Sequence, residues 1–168
     1  MATHEISLLG AQTVPDSTGN VYQQPYALSA TNDVWNHLVY VFADAGTTNY
    51  LYGECIIPQN YVGTAVVVIF WTSTATTNNV FWGFDYRAIT GNDSESLDQA
   101  TAVESVTVQD AAPTATDRQL RVTVSLTSAN ISAGDILQFR FSRLPSNASD
   151  TMAASAYLVD LALSYADV

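Results

Sequence analysis

The sequence contains no lysine, and its five basic residues are all arginines. Sixteen aspartates and glutamates bring the formal net charge to -11. Proteins bind nucleic acids and anionic lipid surfaces through clustered Lys and Arg, which release counterions from the phosphates. We therefore expect no nucleic acid and no membrane among the partners, and we interpret the acidity as a means of keeping the protein soluble.

The single cysteine, Cys55, excludes an intrachain disulfide framework. It lies in a strand-like run, which predicts a buried, unreactive thiol. The longest apolar run, residues 65–71, is much shorter than the about 20 residues of a membrane helix. The start, MATHEISLLG, lacks the basic and apolar regions of a secretory signal. We expect a soluble protein made inside the cell.

Charged residues are scarce at 12%, whereas hydrophobic residues make up 48%. A chain of 168 residues with this composition has enough apolar material for one globular domain with a largely uncharged surface. Turn-forming clusters separate runs rich in Val, Ile, Thr and aromatic residues, and no helical stripe is sustained. We predict about eight strands, at residues 35–43, 50–58, 64–73, 79–89, 104–109, 119–127, 135–144 and 154–165.

This strand pattern predicts an all-β fold, an antiparallel two-sheet sandwich of jelly-roll type over residues 35–168. A barrel or an immunoglobulin-like sandwich is the alternative. Residues 1–34 are polar and contain prolines. They predict either an N-terminal arm that reaches a neighbour or a strand and loop packed on the domain itself.

Several predicted strands alternate between apolar and polar residues, but residues 64–71 are apolar on both faces. The second apolar face needs a cover, which another subunit, the N-terminal segment, a loop or sheet curvature would supply. If another subunit supplies the cover, the protein is a homo-oligomer, and this is what we expect. The interface candidates are Tyr40, Val67, Ile69, Trp71 and Phe81.

Residues for catalysis or metal binding are few. The two histidines, His4 and His37, lack the partners of a zinc site or of a nucleophile. Neither G-x-G-x-x-G nor G-x-x-x-x-G-K-[ST] occurs. We therefore expect no enzyme activity, no metal and no cofactor.

Two weaker alternatives involve carboxylates. Glu54, Asp85 and Asp160 lie in predicted strands, where two of them would suit a glycosidase, although Asp85 and Arg87 share a strand face and would neutralise each other. The sequence GNDSESLD offers calcium ligands, but it lacks EF-hand spacing and is more typical of a solvated acidic loop. Its acidic residues are Asp93, Glu95 and Asp98.

Aromatic residues allow a further alternative, a carbohydrate-binding module that stacks sugars on exposed rings. The usual role of large rings in apolar strands is core or interface packing. The candidates are Trp35, Trp71, Trp82, Tyr22, Tyr26, Tyr50, Tyr52 and Tyr61.

From about residue 50 onward the chain shows IPQNYVGTAVVVIFW, TTNNVFWGFDYRAITGND, RVTVSL, AGDILQFRFSR and YLVDLALSYADV. In the order of these segments the sequence resembles short jelly-roll virion structural proteins of tailed bacteriophages. The resemblance implies a non-enzymatic capsid decoration (cement) protein or another head- or tail-associated component, with a tail-fibre or receptor- or carbohydrate-binding module as the alternative.

The same resemblance implies a symmetric trimer that docks on the major capsid protein or another virion protein. It also implies localisation in the virion, after assembly in the host cytoplasm. No catalytic residues follow from it.

Overall fold

Eleven strands form among the residues that the computed structural model describes, which are 2–10, 13–26, 37–91, 95–97 and 103–167. The strands are β1 (Thr3–Ser7), β2 (Val14–Pro15), β3 (Val21–Tyr26), β4 (His37–Phe42), β5 (Asn49–Ile56), β6 (Tyr61–Ser73), β7 (Asn79–Ile89), β8 (Glu104–Ala111), β9 (Leu120–Ser125), β10 (Ile136–Arg143) and β11 (Ala156–Asp167). A short 3-10 helix covers Ser128–Asn130. No helix within the described ranges is long and apolar enough to cross a bilayer.

The strands pair antiparallel in two sheets. In the six-stranded sheet the order is β3-β4-β11-β6-β9, and β1 also pairs with β11. In the five-stranded sheet the order is β2-β5-β10-β7-β8. The predicted all-β, two-sheet sandwich of jelly-roll type is confirmed. Each of the eight predicted strands coincides with one of β4 to β11, and the prediction for β7 has the observed bounds.

The three additional strands come from the first 34 residues. β1 runs along β11 in register from Thr3–Ala166 to Ser7–Ala162. β2 pairs with β5 and β3 pairs with β4. Of the two alternatives for this segment, its described residues take the packed one, as strands of the sandwich.

Aromatic rings fill the core between the sheets. Trp82 lies 5.0 Å from Phe141, 5.5 Å from Phe42 and 5.7 Å from Trp71, measured between ring centroids. Edge-to-face and stacked rings at these separations are favourable beyond their burial of area. Alternation along β6 also directs Val67 into this core.

This placement changes the interpretation of the interface candidates. Val67, Ile69 and Trp71 are fully buried between the two sheets of one chain, and they leave no exposed surface for a second subunit to cover. Tyr40 is buried in the same core, and its hydroxyl is 2.6 Å from Thr13 Oγ1. Phe81 is partly buried on the opposite side of β7 from the core. Self-association itself stays a prediction.

The other face of β6 carries Val68, which is also fully buried, and Phe70. The Arg121 guanidinium lies over the Phe70 ring, 5.9 Å from its centroid. Arg121 Nη2 then reaches Glu5 Oε1 at 2.9 Å, so the ion pair joins β9 to β1 across β11 and β6. Side chains of the same chain therefore cover part of the second apolar face.

The segment between β8 and β9 attaches to that same face. Thr72 Oγ1 donates a hydrogen bond to the Arg118 carbonyl oxygen at 2.8 Å. The Tyr26 hydroxyl donates to Asp117 Oδ1, also at 2.8 Å. Burial and this carboxylate both raise the pKa of Tyr26. A loop is thus a second part of the cover.

Candidate binding face

The outer face of the five-stranded sheet carries a continuous set of aromatic and polar side chains, which we call the binding face. Alternation along β5, β10 and β7 turns Leu51, Phe139 and Phe84 into the core, and so it directs their neighbours outward. The binding face consists of Tyr50, Tyr52, Glu54, Asp85, Arg87, Gln138 and Arg140.

Register places three of these side chains in one row across the strands. Tyr52 of β5 is opposite Arg140 of β10, which is opposite Asp85 of β7. Arg140 Nε donates to Asp85 Oδ2 at 2.6 Å, and its guanidinium lies 4.8 Å from the centroid of the Tyr50 ring. Burial alone would lower the pKa of Arg140, but the hydrogen bond and charge of Asp85 outweigh it and raise that pKa.

A second row lies next to the first. Glu54 is opposite Gln138, which is opposite Arg87. Arg87 Nε donates to Gln138 Oε1 at 2.9 Å, and Gln138 Nε2 donates to Glu54 Oε2 at 3.4 Å. Arg87 Nη2 also donates to the Leu97 carbonyl oxygen. The row is therefore a chain of hydrogen bonds whose members hold each other in place.

Both rows line a cleft. One part, of about 390 Å³, is bounded by Tyr52, Asp85, Arg87, Arg140 and Val103, among others. A second part, of about 360 Å³, extends past Glu54 to Val14 on β2. The two parts share Tyr52, Gln138 and Phe139, so the cleft runs across the strands from β2 towards β8.

The exposed side chains of the cleft are partly apolar. The Tyr52 side chain is 42% exposed, and its ring centroid is 5.9 Å from that of Tyr50. Val14 and Val103 are also exposed, one at each end of the cleft. Apolar surface beside a few convergent polar groups is the usual composition of a small-molecule site.

The three carboxylates named from the sequence do not meet. Glu54 and Asp85 lie on the binding face, in adjacent rows. Asp160 lies on β11 in the other sheet, where it accepts a hydrogen bond from Ser7 Oγ at 2.7 Å. Asp85 pairs with Arg140, whereas the sequence had suggested Arg87 as the group that neutralises it.

The predicted metal-binding positions give no site in the described part of the chain. Asp93 and Asp98 lie outside the described residues, and Glu95 accepts hydrogen bonds from the backbone N–H and the hydroxyl of Thr90. His4 Nε2 is 2.7 Å from Asp167 Oδ2. Among the described residues no group of three or more His, Cys, Asp or Glu side chains is placed to hold a metal ion.

The aromatic candidates divide by burial. Trp71, Trp82, Tyr26 and Tyr61 are buried, and Trp35 lies outside the described residues. Tyr22 is exposed, but it lies on β3 at the edge of the six-stranded sheet. Within the described chain, Tyr50 and Tyr52 are the candidates that combine partial exposure with a place on the binding face.

Gln138, Arg140 and Arg87 were not among the predicted site residues. The sequence did show Gln138 and Arg140 on the polar face of an alternating strand, which is also the pattern of ordinary solvated surface. What marks them as part of a site is the register that places them between Tyr52, Glu54 and Asp85.

No protein-family model matches the sequence, and no curated protein matches it. Solved structures do. The chain is similar to the carbohydrate binding module CBM6cm-2 from Cellvibrio mixtus lichenase 5A, whose structure was solved in complex with cellotriose, with a TM-score of 0.54 and 13% sequence identity over 97% of each chain. It is also similar to CBM35 from Cellvibrio japonicus Abf62, with a TM-score of 0.53 and 11% identity over 99% of each chain. At such identities the similarity shows the fold.

These comparisons correct the resemblance to phage virion proteins, which is wrong. Both of these structures are carbohydrate-binding modules, and neither is a phage virion protein. The segments that suggested the resemblance form strands and turns of a jelly roll, and such residues are shared by sandwiches with unrelated functions. The capsid decoration interpretation loses its support, and the comparisons agree better with the stated alternative, a tail-fibre or receptor- or carbohydrate-binding module. No observation tests the predicted trimer, capsid partner or virion localisation.

Proposed function

We propose that this protein is a non-catalytic carbohydrate-binding module that binds a glycan across the binding face. The observation that carries the proposal is the exposed ring of Tyr52 in a cleft lined by Glu54, Asp85, Arg87, Gln138 and Arg140. A sugar ring has an apolar C–H face and a rim of hydroxyl groups. It is therefore matched by an aromatic ring together with fixed donors and acceptors.

The rows of the binding face favour affinity because they are already ordered. The hydrogen bonds of Gln138 with Arg87 and Glu54, and the ion pair of Arg140 with Asp85, limit the rotamers of these side chains. A glycan that binds them then orders few additional torsions, which keeps the entropic cost of binding low. Each group still has unused capacity, since a guanidinium has five N–H donors and a carboxylate accepts several hydrogen bonds.

The length of the cleft favours a chain of sugars over a single one. From Val14 on β2 to Val103 just before β8, it crosses the five-stranded sheet. Four strand spacings of about 4.8 Å make roughly 19 Å. This is several times the width of one sugar ring, so we expect affinity to rise with the length of the oligosaccharide.

Two further points support the proposal. The fold is similar to that of a module solved in complex with cellotriose. In addition, Asp85 is committed to Arg140 and Glu54 to Gln138, and the third candidate carboxylate, Asp160, lies on the other sheet. A glycosidase requires two free carboxyl groups, one on either side of the glycosidic bond. The binding face does not present such a pair.

The test is calorimetric titration with neutral oligosaccharides of increasing length, for the wild type, Tyr52→Ala and Tyr22→Ala. Tyr22 is 44% exposed, close to the 42% of Tyr52, but it lies on the other sheet. Covering one face of a ring contributes about 1–2 kcal/mol, or roughly five- to thirty-fold in affinity. We expect that loss for Tyr52→Ala and none for Tyr22→Ala. Equal binding by the two variants would contradict the proposal.

A further inference from the structure

The two arginines of the binding face are already engaged within the chain. Arg140 donates from Nε to Asp85, and its guanidinium lies over the Tyr50 ring. Arg87 donates from Nε to Gln138 and from Nη2 to the Leu97 carbonyl oxygen. Proteins usually recognise carboxylate, sulfate or phosphate groups through the two-pronged fork of a guanidinium. Here each guanidinium already has partners within the chain, so an anionic ligand would compete with those partners and would not meet a free cation.

The charges of the cleft also balance. Glu54 and Asp85 contribute two negative charges, and Arg87 and Arg140 contribute two positive ones, so the formal sum is zero. The protein around them carries a net charge of -11. An acidic polysaccharide therefore approaches a repulsive surface, with screening over about 10 Å at 0.1 M salt.

The remaining arginines offer no compensation. Arg121 pairs with Glu5 on the six-stranded sheet. Arg143 is fully buried, and Arg118 donates to Thr114 in the loop before β9. No cation of the described cleft is left without a partner.

We infer that the binding face takes uncharged glycans and discriminates against those that carry carboxylate or sulfate groups. The inference rests on the proposed function and specifies its ligand class. Neutral hydroxyl groups donate to Glu54 and Asp85 and accept from Arg87 and Arg140 without breaking either row. A uronate in the same place loses hydration and gains no free cation, which weakens its binding about tenfold or more.

The test compares matched neutral and acidic polymers, methyl-esterified polygalacturonate against polygalacturonate and xylan against glucuronoxylan, by affinity electrophoresis at low and high NaCl. We expect retention by the neutral polymers with little dependence on salt, and at least about tenfold weaker retention by the acidic ones at low salt.

A pair of charge variants identifies the cause. Asp85→Asn removes the negative charge that neutralises Arg140, whereas Asp160→Asn makes the same change in net charge on the other sheet. We expect Asp85→Asn to gain affinity for polygalacturonate and Asp160→Asn to gain little. Equal gains in the two variants would overturn the assignment of selectivity to the paired arginine.

The outcomes separate the inference from the function on which it rests. If the wild type binds acidic polymers as tightly as neutral ones, and Tyr52→Ala abolishes that binding, the inference is overturned and the proposed function stands. If no polymer of either set binds, or if binding is unchanged in Tyr52→Ala, the proposed function is overturned and the inference with it.

Discussion

Two arginines of β10 each pair with an aspartate from another part of the chain, and the two pairs differ mainly in burial. The side chains of Arg143 and Asp150 are 0% and 1% exposed, whereas those of Arg140 and Asp85 are 44% and 19% exposed. Arg143 binds Asp150 through two N–H···O bonds, Nε to Oδ2 and Nη2 to Oδ1, each 2.8 Å long. Asp150 also accepts from the Phe81 N–H at 3.1 Å. The buried pair thus fastens the segment after β10 to the sheet that bears the binding face.

We predict that Asp150→Asn destabilises the protein far more than Asp85→Asn does. Removing one charge of a buried pair leaves the other uncompensated and costs about 3–5 kcal/mol. Asp44 Oδ1 lies 3.8 Å from Arg143 Nη2, an ion-pair distance beyond that of a hydrogen bond, so it compensates only part of the charge and replaces neither N–H···O bond. An exposed pair contributes at most about 1 kcal/mol. For a chain of this size, 1 kcal/mol corresponds to about 2–4 °C in Tm. The expected losses are therefore about 6–20 °C for Asp150→Asn and at most about 4 °C for Asp85→Asn.

Urea and thermal unfolding followed by circular dichroism measure both variants under the same conditions. Equal Tm losses for the two would refute the reasoning, because the difference in burial would then have no energetic consequence. A double variant, Arg143→Met with Asp150→Leu, gives a second readout. Arg143 also donates to the carbonyl oxygens of Phe42, Ala154 and Met152. We expect the double variant to stay below the wild type, since those buried carbonyls lose a partner.

Two other predictions concern stability. A Cβ at Gly53 would lie 2.5 Å from Cζ of the buried Phe139 ring, so Gly53→Ala should lower the free energy of unfolding by about 1–3 kcal/mol. The control is Gly10→Ala, because a Cβ at Gly10 meets nothing within 4 Å. Equal Tm values for the two variants would contradict the prediction. A hydrogen bond from the Tyr86 hydroxyl is the main cause that lowers the pKa of Glu104 in the folded protein. The stabilisation is therefore present above the unfolded pKa and is lost as pH falls through the folded one. Urea unfolding between about pH 5 and pH 3 should show a shallower loss of stability for Tyr86→Phe than for the wild type, and parallel losses would contradict this.

The strands that the sequence predicts well are the long ones. β7, for example, has eleven residues with mostly apolar and aromatic side chains, and its bounds were predicted as observed. The strands that were missed are short or contain proline. β2 has two residues, one of them Pro15, and β3 contains Pro25. Both strands lie at the edge of a sheet, where a missing N–H costs no ladder hydrogen bond on the open side. Proline therefore indicated a loop where the structure has an edge strand.

The composition of β6 showed that the strand is apolar on both faces, but it did not show which residues cover the second face. It lies between β11 and β9, with the five-stranded sheet against one face. Part of the cover on the other face comes from Arg121 and its partner Glu5, which is 116 residues away in sequence. Local patterning shows that an apolar face needs a cover, whereas the identity of the cover depends on long-range pairing.

The same reason explains why the binding face was not found as a whole. Tyr52 was among the aromatic candidates and Glu54 and Asp85 among the carboxylates, but nothing in the local pattern joins these sets. Arg140 lies 55 residues from Asp85, and antiparallel register alone places it between Asp85 and Tyr52. Residues that form the strands of a jelly roll suggested a family that the comparisons contradict, because such residues determine the sandwich and not what it binds. The residues of the proposed site occupy the polar alternate positions of β5, β7 and β10, which are indistinguishable from ordinary surface until the strands are paired.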